Sequence, residues 1–555
     1  MKTPEQFPQT GNSESPDGYT VLSPEKAIVG KEVVSDFKAV IDPEIGTIIK
    51  AGGTNDVNEW LAAEGKRGKH ISRTEEGGNV IAGLTDAHEH PILYGSLELL
   101  KAISLADCKT KEEVLDRIRT ASKEIEGDKP LVAIGMDNSK VRDLVGADID
   151  RVFGGREVVV LDRSFHGGVV SQSMAREIER LAQTRDFAGY LKKDGSVSEE
   201  YGLSALEIAQ ARFSVDQVSE VVENKLDGYL RQGITSVHDM IIQTPLELEA
   251  ALILRKKWKD ERGIEFPITK FHLRPEMIEH LGKNMDELQK LKLISWEEMP
   301  DLIGMKLLAD GSFGSYTAKM GEPFLGGKGR GLWFDNIEKI NKALQIAREH
   351  GITNVAMHAI GDEGIRRALE TARKWQDIAA RGASSPSFRI EHFSLPLPMQ
   401  QTIAEARNMG VWVVPQPNFL LDFVYKDRLG ERVKWICPHG EMVNQGVPMM
   451  LGTDGMPDSM LYAIYAATHA GEEHQRLSLP EALFASTVAT GRFEGTNRGM
   501  LSEGQQADII VADPTLINQL AAGDPDIGWN PAKIAELEGS IRSVYKTGVQ
   551  VYGRT

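Results

Sequence analysis

Cysteine is almost absent from this sequence. Among 555 residues only Cys108 and Cys437 carry a thiol. Two cysteines are too few for a framework of disulfides or for a zinc cluster bound through thiolates. The composition therefore fits a reducing compartment, and we expect a cytoplasmic protein.

Long hydrophobic runs and dense basic clusters are also missing. No stretch approaches the roughly 18 apolar residues that a membrane-spanning helix requires. Lysine and arginine number 64 against 81 acidic residues, and the formal net charge is -17. No basic cluster is dense enough to follow a phosphate backbone. We therefore expect neither a membrane nor a nucleic acid as a partner.

Residues 1–20 lack the apolar core of a signal peptide. They are polar and rich in Pro, Ser and Gly, a composition that cannot bury enough apolar surface to fold alone. We expect a flexible leader there.

Short β-rich segments are present near both ends of the chain. "KAIVGKEVV" and "FKAVID" lie near the start, and "ADIIVAD" and "VQVYG" lie near the end. Each end has too few strands to bury a core by itself. We predict that residues 21–80 and 496–555 together form one small β-sandwich domain.

Between these ends, strand-like apolar runs alternate with amphipathic helical segments. There are eight such runs, among them "GNVIAGLTDAH", "LIGMKLLADG" and "VPMMLGTDG". This alternation is typical of an α/β fold with a parallel sheet, and eight repeats predict a (β/α)8 TIM-like barrel over residues 81–495. The alternation breaks at about 95–214, which predicts an insertion after the first barrel strand.

The stretch "AGLTDAHEHP" places His88 and His90 at the end of the first barrel strand. Residues i and i+2 of a strand share one face, so both imidazoles point to one place and supply half of a metal site. An isolated H-x-H pair is more often two unrelated histidines. Whether His88 and His90 bind a metal depends on the presence of further ligands, because a catalytic zinc needs about three protein ligands and a water.

Further candidate ligands do follow other predicted strands. In a parallel barrel the active site lies at the carboxyl ends of the strands. A structural explanation is available for each residue alone, and we accept it for Asp362, as a helix N-cap. The joint placement at one face of the barrel argues for function in the others. They are Lys306 on the fourth strand, His358 on the fifth, His392 on the sixth and Asp454 after the eighth.

These motifs resemble the amidohydrolase superfamily, and within it the amidohydrolase-3 group of YtcJ-like proteins. The matching stretches cover nearly the whole chain and include "GLTDAHEH", "RSFHGGVVSQSMA", "KLLADGSFGSYTAKM", "VAMHAIGDEGIRRALE", "RIEHFSL" and "GTDGMP". The resemblance implies a metal-dependent hydrolase with a barrel and a β-sandwich built from both termini. The sequence departs from the pattern at Glu89, where an apolar or small residue is expected, and at Ser171, where Asn is expected.

The metal set follows from the same resemblance. It implies two divalent ions, Zn2+ first and Mn2+ or Co2+ as alternatives, with a carboxylated Lys306 between them. Burial beside metal favours a neutral lysine, which captures carbon dioxide as a carbamate with two oxygens. Asp454 would then serve as general base and afterwards as general acid. The implied metal ligands are His88, His90, Lys306, His358, His392 and Asp454.

Three more residues are candidates for substrate binding. His166 is followed by two glycines that permit close backbone approach. His238 is either part of the inner site or a buried histidine bonded to Asp239. Trp333 is a candidate wall of an apolar pocket, although aromatic residues more often only pack.

The favoured function is hydrolysis of a C-N bond in a small amide, N-substituted formamide, imide or carbamate by a metal-activated hydroxide. We expect a homodimer that acts on this small-molecule substrate. One alternative is a mononuclear deaminase of a nucleobase-like ring. Such an enzyme is expected to carry a glutamate acid in an H-x-x-E motif, and this sequence has no such glutamate after His358. A second is a non-enzymatic regulatory or binding protein on the same fold.

Overall fold

The computed structural model of the protein describes residues 18–125, 127, 129–138, 140–183, 189–379, 386–421, 424–469, 471–523 and 530–554. Most of the predicted leader, residues 1–17, lies outside this described part.

The N-terminal region contributes strands to two different sheets. Its elements are β1 (Tyr19–Ser23), β2 (Lys26–Val29), β3 (Glu32–Val34), β4 (Lys38–Asp42), β5 (Thr47–Gly52), α1 (Thr54–Lys66), β6 (Ile71–Glu76) and β7 (Asn79–Ala82). Four of the strands form one sheet in the order β5-β4-β1-β6. Strands β2, β3 and β7 belong to another sheet, which also contains the C-terminal strands.

The next region begins with the first barrel strand and continues into a separate sheet. Its elements are β8 (Leu84–Glu89), α2 (Pro91–Leu99), β9 (Ile103–Ser104), α3 (Lys111–Ala121), β10 (Leu131–Met136), α4 (Gly146–Phe153), β11 (Val158–Asp162), β12 (Gly167–Val170), α5 (Gln172–Ala182), β13 (Gly189–Leu191), β14 (Ser196–Glu199) and α6 (Glu200–Gln210). Strands β9 to β14 form a six-stranded sheet in the order β13-β14-β12-β11-β10-β9.

The remaining barrel elements alternate between strands and one or two helices as far as β20, after which helices follow. They are α7 (Val215–Arg231), β15 (Ile234–Ile242), α8 (Pro245–Lys257), β16 (Ile268–Leu273), α9 (Pro275–Lys290), α10 (Met299–Leu302), β17 (Ile303–Leu308), α11 (Ile337–Glu349), β18 (Asn354–Ala359), α12 (Asp362–Ala379), β19 (Ser387–His392), α13 (Met399–Asn408), β20 (Trp412–Val414), α14 (Val424–Leu429), α15 (His439–Asn444), α16 (Met460–His469), α17 (Leu479–Ala485) and α18 (Val488–Glu494). All strand pairs among β8 and β15 to β20 are parallel.

Seven strands form the barrel sheet, in the order β20-β19-β18-β17-β16-β15-β8. The eighth predicted run, "VPMMLGTDG", is not a regular strand, but it hydrogen-bonds to both edges. The backbone N-H of Met450 donates to Val413 O at 3.0 Å, and that of Ala87 donates to Leu451 O at 3.0 Å. The predicted α/β barrel is therefore confirmed in its coarse form, and the last run closes it with only a few hydrogen bonds.

Strands from both ends of the chain share one sheet. The C-terminal elements are β21 (Ile509–Ala512), α19 (Leu516–Ala521), α20 (Pro531–Gly539), β22 (Ile541–Lys546) and β23 (Val549–Gly553). The sheet has the order β23-β22-β21-β7-β2-β3, and β21 pairs antiparallel with β7. The domain boundaries that we infer from sequence stay predictions, as do the homodimer and the cytoplasmic location.

Helix α7 illustrates why the predicted helical segments form. Ser214 accepts a hydrogen bond from the backbone of Gln217, whose side chain accepts one in return from the Ser214 N-H. This capping box satisfies two backbone donors at the helix start. Val218, Val222 and Leu226 then repeat at every fourth position and are buried. None of the helices in the described ranges is long and apolar enough to cross a lipid bilayer.

Truncation tests the shared sheet. Ending the chain after Leu501 removes β21, β22 and β23, which leaves the partner edge of β7 unpaired. We expect insoluble protein, because an exposed strand edge promotes association. Solubility after expression is the measurement, and a chain ending at Gly553, which keeps all three strands, is the control. A soluble and fully active truncation would refute a structural role for the C-terminal strands.

Candidate metal centre and its cleft

The candidate ligands meet at the carboxyl ends of the barrel strands. His88 lies on β8, Lys306 on β17, His358 on β18 and His392 on β19. Because these strands are parallel, their ends lie on one rim of the barrel. Asp454 follows the segment that closes the barrel, and its backbone N-H donates to His88 O at 2.7 Å.

Three of these residues already form a compact group. His90 Nε2 lies 3.0 Å from Asp454 Oδ1, and His88 Nε2 lies 3.7 Å from the same oxygen. One potential ligand atom from each of the three residues falls within 4.8 Å of the others. Two imidazole nitrogens and a carboxylate oxygen are a donor set that suits a divalent transition metal.

His358 and His392 extend this group. The ring centroids of His88 and His392 are 4.9 Å apart, and those of His358 and His392 are 4.4 Å apart. The backbone is left-handed at His392, with φ of 69°, and at Asp454, with φ of 57°. Such conformations are costly for residues other than glycine and often occur at functional sites.

The left-handed backbone at His392 has a direct geometric effect. Glu391 and His392 are adjacent on one strand, and regular alternation sends adjacent side chains to opposite faces. Both nevertheless approach His88, Glu391 by a hydrogen bond of 2.6 Å and His392 by ring contact. The departure from extended geometry at His392 allows both contacts.

Hydrogen bonds fix which nitrogen carries the proton in three of the four candidate histidines. His88 Nδ1 bonds Glu391 Oε2 at 2.6 Å, and His392 Nδ1 bonds Gln416 Oε1 at 2.6 Å. His358 Nε2 bonds the carbonyl of Gly311 at 3.1 Å. These oxygens can only accept, so each bonded nitrogen is protonated and the other nitrogen keeps a lone pair. Oriented, neutral imidazoles of this kind are typical metal ligands.

Electrostatics support the same protonation states. Burial lowers the pKa of His88, His358 and His392 well below the ordinary value, with added charge repulsion from Lys306. Burial alone would raise the pKa of Asp454, but its interactions with His88, His90 and Lys306 more than offset this effect and lower the pKa to about 2. The centre therefore combines neutral imidazoles with a carboxylate.

Lys306 is buried among these groups. Its side chain is only 2% exposed in an otherwise apolar strand. Burial lowers the pKa of Lys306 to about 8, although Glu391 and Asp454 favour its charged form. A substantial fraction of this amine is consequently neutral near pH 8.

A buried network that sequence reasoning missed supports His88. Arg389 donates to both oxygens of Glu391, from Nε at 2.5 Å and from Nη2 at 2.9 Å. Arg389 Nη1 also bonds His238 Nδ1 at 2.8 Å, and His238 Nε2 bonds Glu494 Oε1 at 2.8 Å. The sequence signal for this network was the pair Arg389 and Glu391, two charged residues that share one face of the otherwise apolar strand in "FRIEHFSL".

Two of the three candidate substrate residues lie away from the open cleft above the centre. His238 belongs to the buried network and bonds Arg389 and Glu494, rather than Asp239. Trp333 packs its ring against the guanidinium of Arg367, 3.2 Å from the ring centroid. Neither residue is among those that line the cleft.

His166 does line the cleft. The walls of the cleft also include His358, His392 and Asp454. Burial opposes a charge on His166, but Glu199, which bonds Nδ1 at 2.6 Å, more than compensates and raises the pKa of His166 to about 9. A protonated imidazole thus faces the candidate ligands.

The two departures from the expected motifs have structural roles. Glu89 accepts a hydrogen bond of 2.5 Å from the hydroxyl of Tyr229 and is completely buried. Ser171 is the N-cap of α5, where its hydroxyl accepts from the backbone of Met174. Neither side chain lines the cleft.

Comparison with known proteins finds similarity across most of the chain. A family with the description "Amidohydrolase family" matches residues 76–552. The protein named amidohydrolase YtcJ, from Bacillus subtilis (strain 168), is 24% identical in an alignment of 508 positions that covers 86% of this chain and 90% of YtcJ.

Solved structures show the same fold. A metal-dependent hydrolase from Pyrococcus furiosus has a TM-score of 0.65 at 22% identity, covering 92% of this chain and 100% of its own. One from Pyrococcus horikoshii OT3 has a TM-score of 0.66 at 21% identity, covering 92% of this chain and 98% of its own.

The support of His88 by Glu391 can be tested directly. Glu391→Gln keeps the shape of the side chain but removes the charge that holds Nδ1 protonated. We expect metal affinity to fall by about 10- to 100-fold, the usual effect of losing a partner behind a ligand. Metal content after dialysis against a graded chelator measures it, and Glu431→Gln, on an exposed ion pair with Lys434, is the control. Unchanged metal retention would contradict this role.

Proposed function

The chain belongs to the amidohydrolase family, a metal-dependent hydrolase family, and from that membership we propose that it hydrolyses a C-N bond in a small amide, N-substituted formamide, imide or carbamate. The observation that carries this proposal is the convergence of neutral imidazoles, a carboxylate and a buried lysine on one rim of the barrel. This donor set lies at an open cleft whose walls combine polar groups such as His166 with the apolar ring of Phe419.

The residues fit a centre of two divalent metal ions, for which zinc is our first candidate. His88 and His90 would hold one ion, His358 and His392 the other, and Asp454 lies within reach of the first pair. When bound, such ions lower the pKa of a coordinated water and polarise the carbonyl of the substrate. The fixed tautomers of three of these histidines leave lone pairs available for this purpose.

Lys306 would provide the bridge as a carbamate. Its neutral amine attacks carbon dioxide, a new N-C bond forms, and one proton is released to solvent, which leaves an anionic group with two oxygens. A free ammonium could not ligate, because it has no lone pair. The lowered pKa of Lys306, about 8, supports this reaction because it makes the neutral amine accessible.

Asp454 would move the proton. Its low pKa keeps it ionised, so it can accept a proton from the attacking water and then deliver it to the departing amine nitrogen. His166 would orient the substrate by donating a hydrogen bond to its carbonyl oxygen. The other ring nitrogen of His166, Nδ1, bonds Glu199.

A substrate panel with a metal count tests the proposal. Purified protein is assayed after loading with zinc, manganese or cobalt on N-substituted amides, cyclic imides, carbamates and ureas. Hydrolysis with near two metals per chain supports the proposal. Near one metal with release of ammonia from an aminopurine favours the deaminase alternative, and no metal with no turnover favours a binding protein.

The role of Asp454 gives a specific expectation. Asp454→Asn can still ligate weakly through oxygen but cannot accept a proton. We expect metal content to persist while kcat falls by at least ~100-fold, the usual scale for a positioned acid-base group. The control is Asp362→Asn, which keeps the oxygen that accepts from the Gly321 N-H. Near-normal kcat in the Asp454 variant would remove this residue from the proton path.

The bridge gives a second expectation. Lys306→Ala should lower the metal content to one ion or fewer per chain. Added acetate or propionate with excess metal should partly restore activity, since these anions supply the missing oxygens. The control is Lys270→Ala, a buried lysine on the neighbouring β16 that bonds the carbonyl of Asp301 at the other end of the barrel. Two retained metals in the Lys306 variant would show that another group bridges them.

A further inference from the structure

Arg428 is a buried cation in the wall of the cleft. It lies on α14, in the segment that follows β20, and is 3% exposed. Its Nη1 donates to the hydroxyl of Tyr316 at 2.5 Å, and its guanidinium lies 4.2 Å from the centroid of the same ring. Its Nε is buried and has no hydrogen-bond partner.

The lack of an acidic partner distinguishes Arg428 from the other buried arginines. In the described part of the chain, no carboxylate lies within ion-pair distance of it, whereas each of the others is paired. Those pairs are Arg274 with Asp335 at 2.9 Å, Arg389 with Glu391 at 2.5 Å, and Arg498 with Glu265 at 2.9 Å. A buried charge without a counterion is strongly disfavoured.

Three acidic residues line the cleft, and none of them forms an ion pair with Arg428. Asp162 accepts hydrogen bonds from Asn138 at 2.6 Å and from Ser315 at 2.7 Å. Asp137 is paired with Lys140 at 2.8 Å. The third acid, Asp454, belongs to the candidate metal centre. Among the described residues, Arg428 therefore has no counterion, and its charge is available to a molecule that enters the cleft.

We propose that Arg428 binds a carboxylate of the substrate, so that the substrate is an amide that carries a carboxylate, such as an N-acylated amino acid. This inference rests on the proposed function. The planar guanidinium matches a carboxylate in two parallel hydrogen bonds, and its Nε has no hydrogen-bond partner among the described residues. Phe419, whose ring stacks on His392 with centroids 6.2 Å apart, also lines the cleft and offers an apolar surface for the rest of the substrate.

Two matched pairs of compounds test this proposal. N-acetylphenylalanine and N-acetylphenylalaninamide differ in charge on the amine side of the bond. N-benzylsuccinamate and N-benzylbutanamide differ in charge on the acyl side. Wild-type enzyme should have a higher kcat/KM for the charged member of at least one pair.

Arg428→Gln should reduce that preference by about 30-fold, since it leaves the buried carboxylate without its partner. Arg428→Lys should retain an intermediate preference, because it keeps the charge but loses the planar fork. The control is Arg432→Gln, four positions along the chain, whose guanidinium bonds the backbone carbonyls of Glu322 and Pro323 outside the cleft. It should leave the preference unchanged.

Binding measured without turnover separates this inference from the proposed function. Calorimetric titration with both matched pairs is performed on the wild type and on Arg428→Gln. If no compound is hydrolysed but the wild type binds the charged member of at least one pair more tightly and the variant does not, the anchor is supported and the hydrolase proposal fails. Equal or undetectable binding of the two members in both pairs by the wild type, or a preference that survives in Arg428→Gln, overturns the anchor.

Discussion

The candidate metal centre depends on a buried ion pair between Arg389 and Glu391. Burial alone would raise the pKa of Glu391, but Arg389 more than offsets this effect and lowers the pKa. The resulting carboxylate holds the proton on His88 Nδ1. Arg389 also donates to the carbonyl of Ala87 and to His238, so a single side chain connects β19 with β8 and β15 through the barrel interior. A buried ion pair is stable only when its hydrogen bonds have good geometry. These contacts therefore constrain the positions of the candidate metal ligands.

The sequence was informative where chemistry follows a regular strand. His88, Lys306 and His358 could be assigned to one rim because parallel strands place their carboxyl ends together. The alternation of apolar runs and amphipathic segments was sufficient to predict the barrel. The last run was misjudged as a regular strand. Pro448 has no N-H to donate, and the run pairs with Val413 and Ala87 at isolated points only.

Contacts between distant parts of the chain could not be read from the sequence. His238 and Glu494 are 256 positions apart, so neither the spacing nor the local pattern identifies them as partners. The same holds for Trp333, whose contact with Arg367 depends on how a loop folds over α12. Arg428 lacks any local motif, and its importance follows only from the absence of a carboxylate among its described neighbours.

The sheet shared by both chain ends has a consequence for biosynthesis. Asn79 bonds the carbonyl of Asp513, a residue 434 positions later, so β7 emerges from the ribosome tens of seconds before its partner β21 exists, at typical rates of ~5–20 residues per second. During that interval the apolar strand Asn79–Ala82 has no partner on that side. Contacts of such long range slow folding, and the shared sheet can be completed only after β21 has been translated.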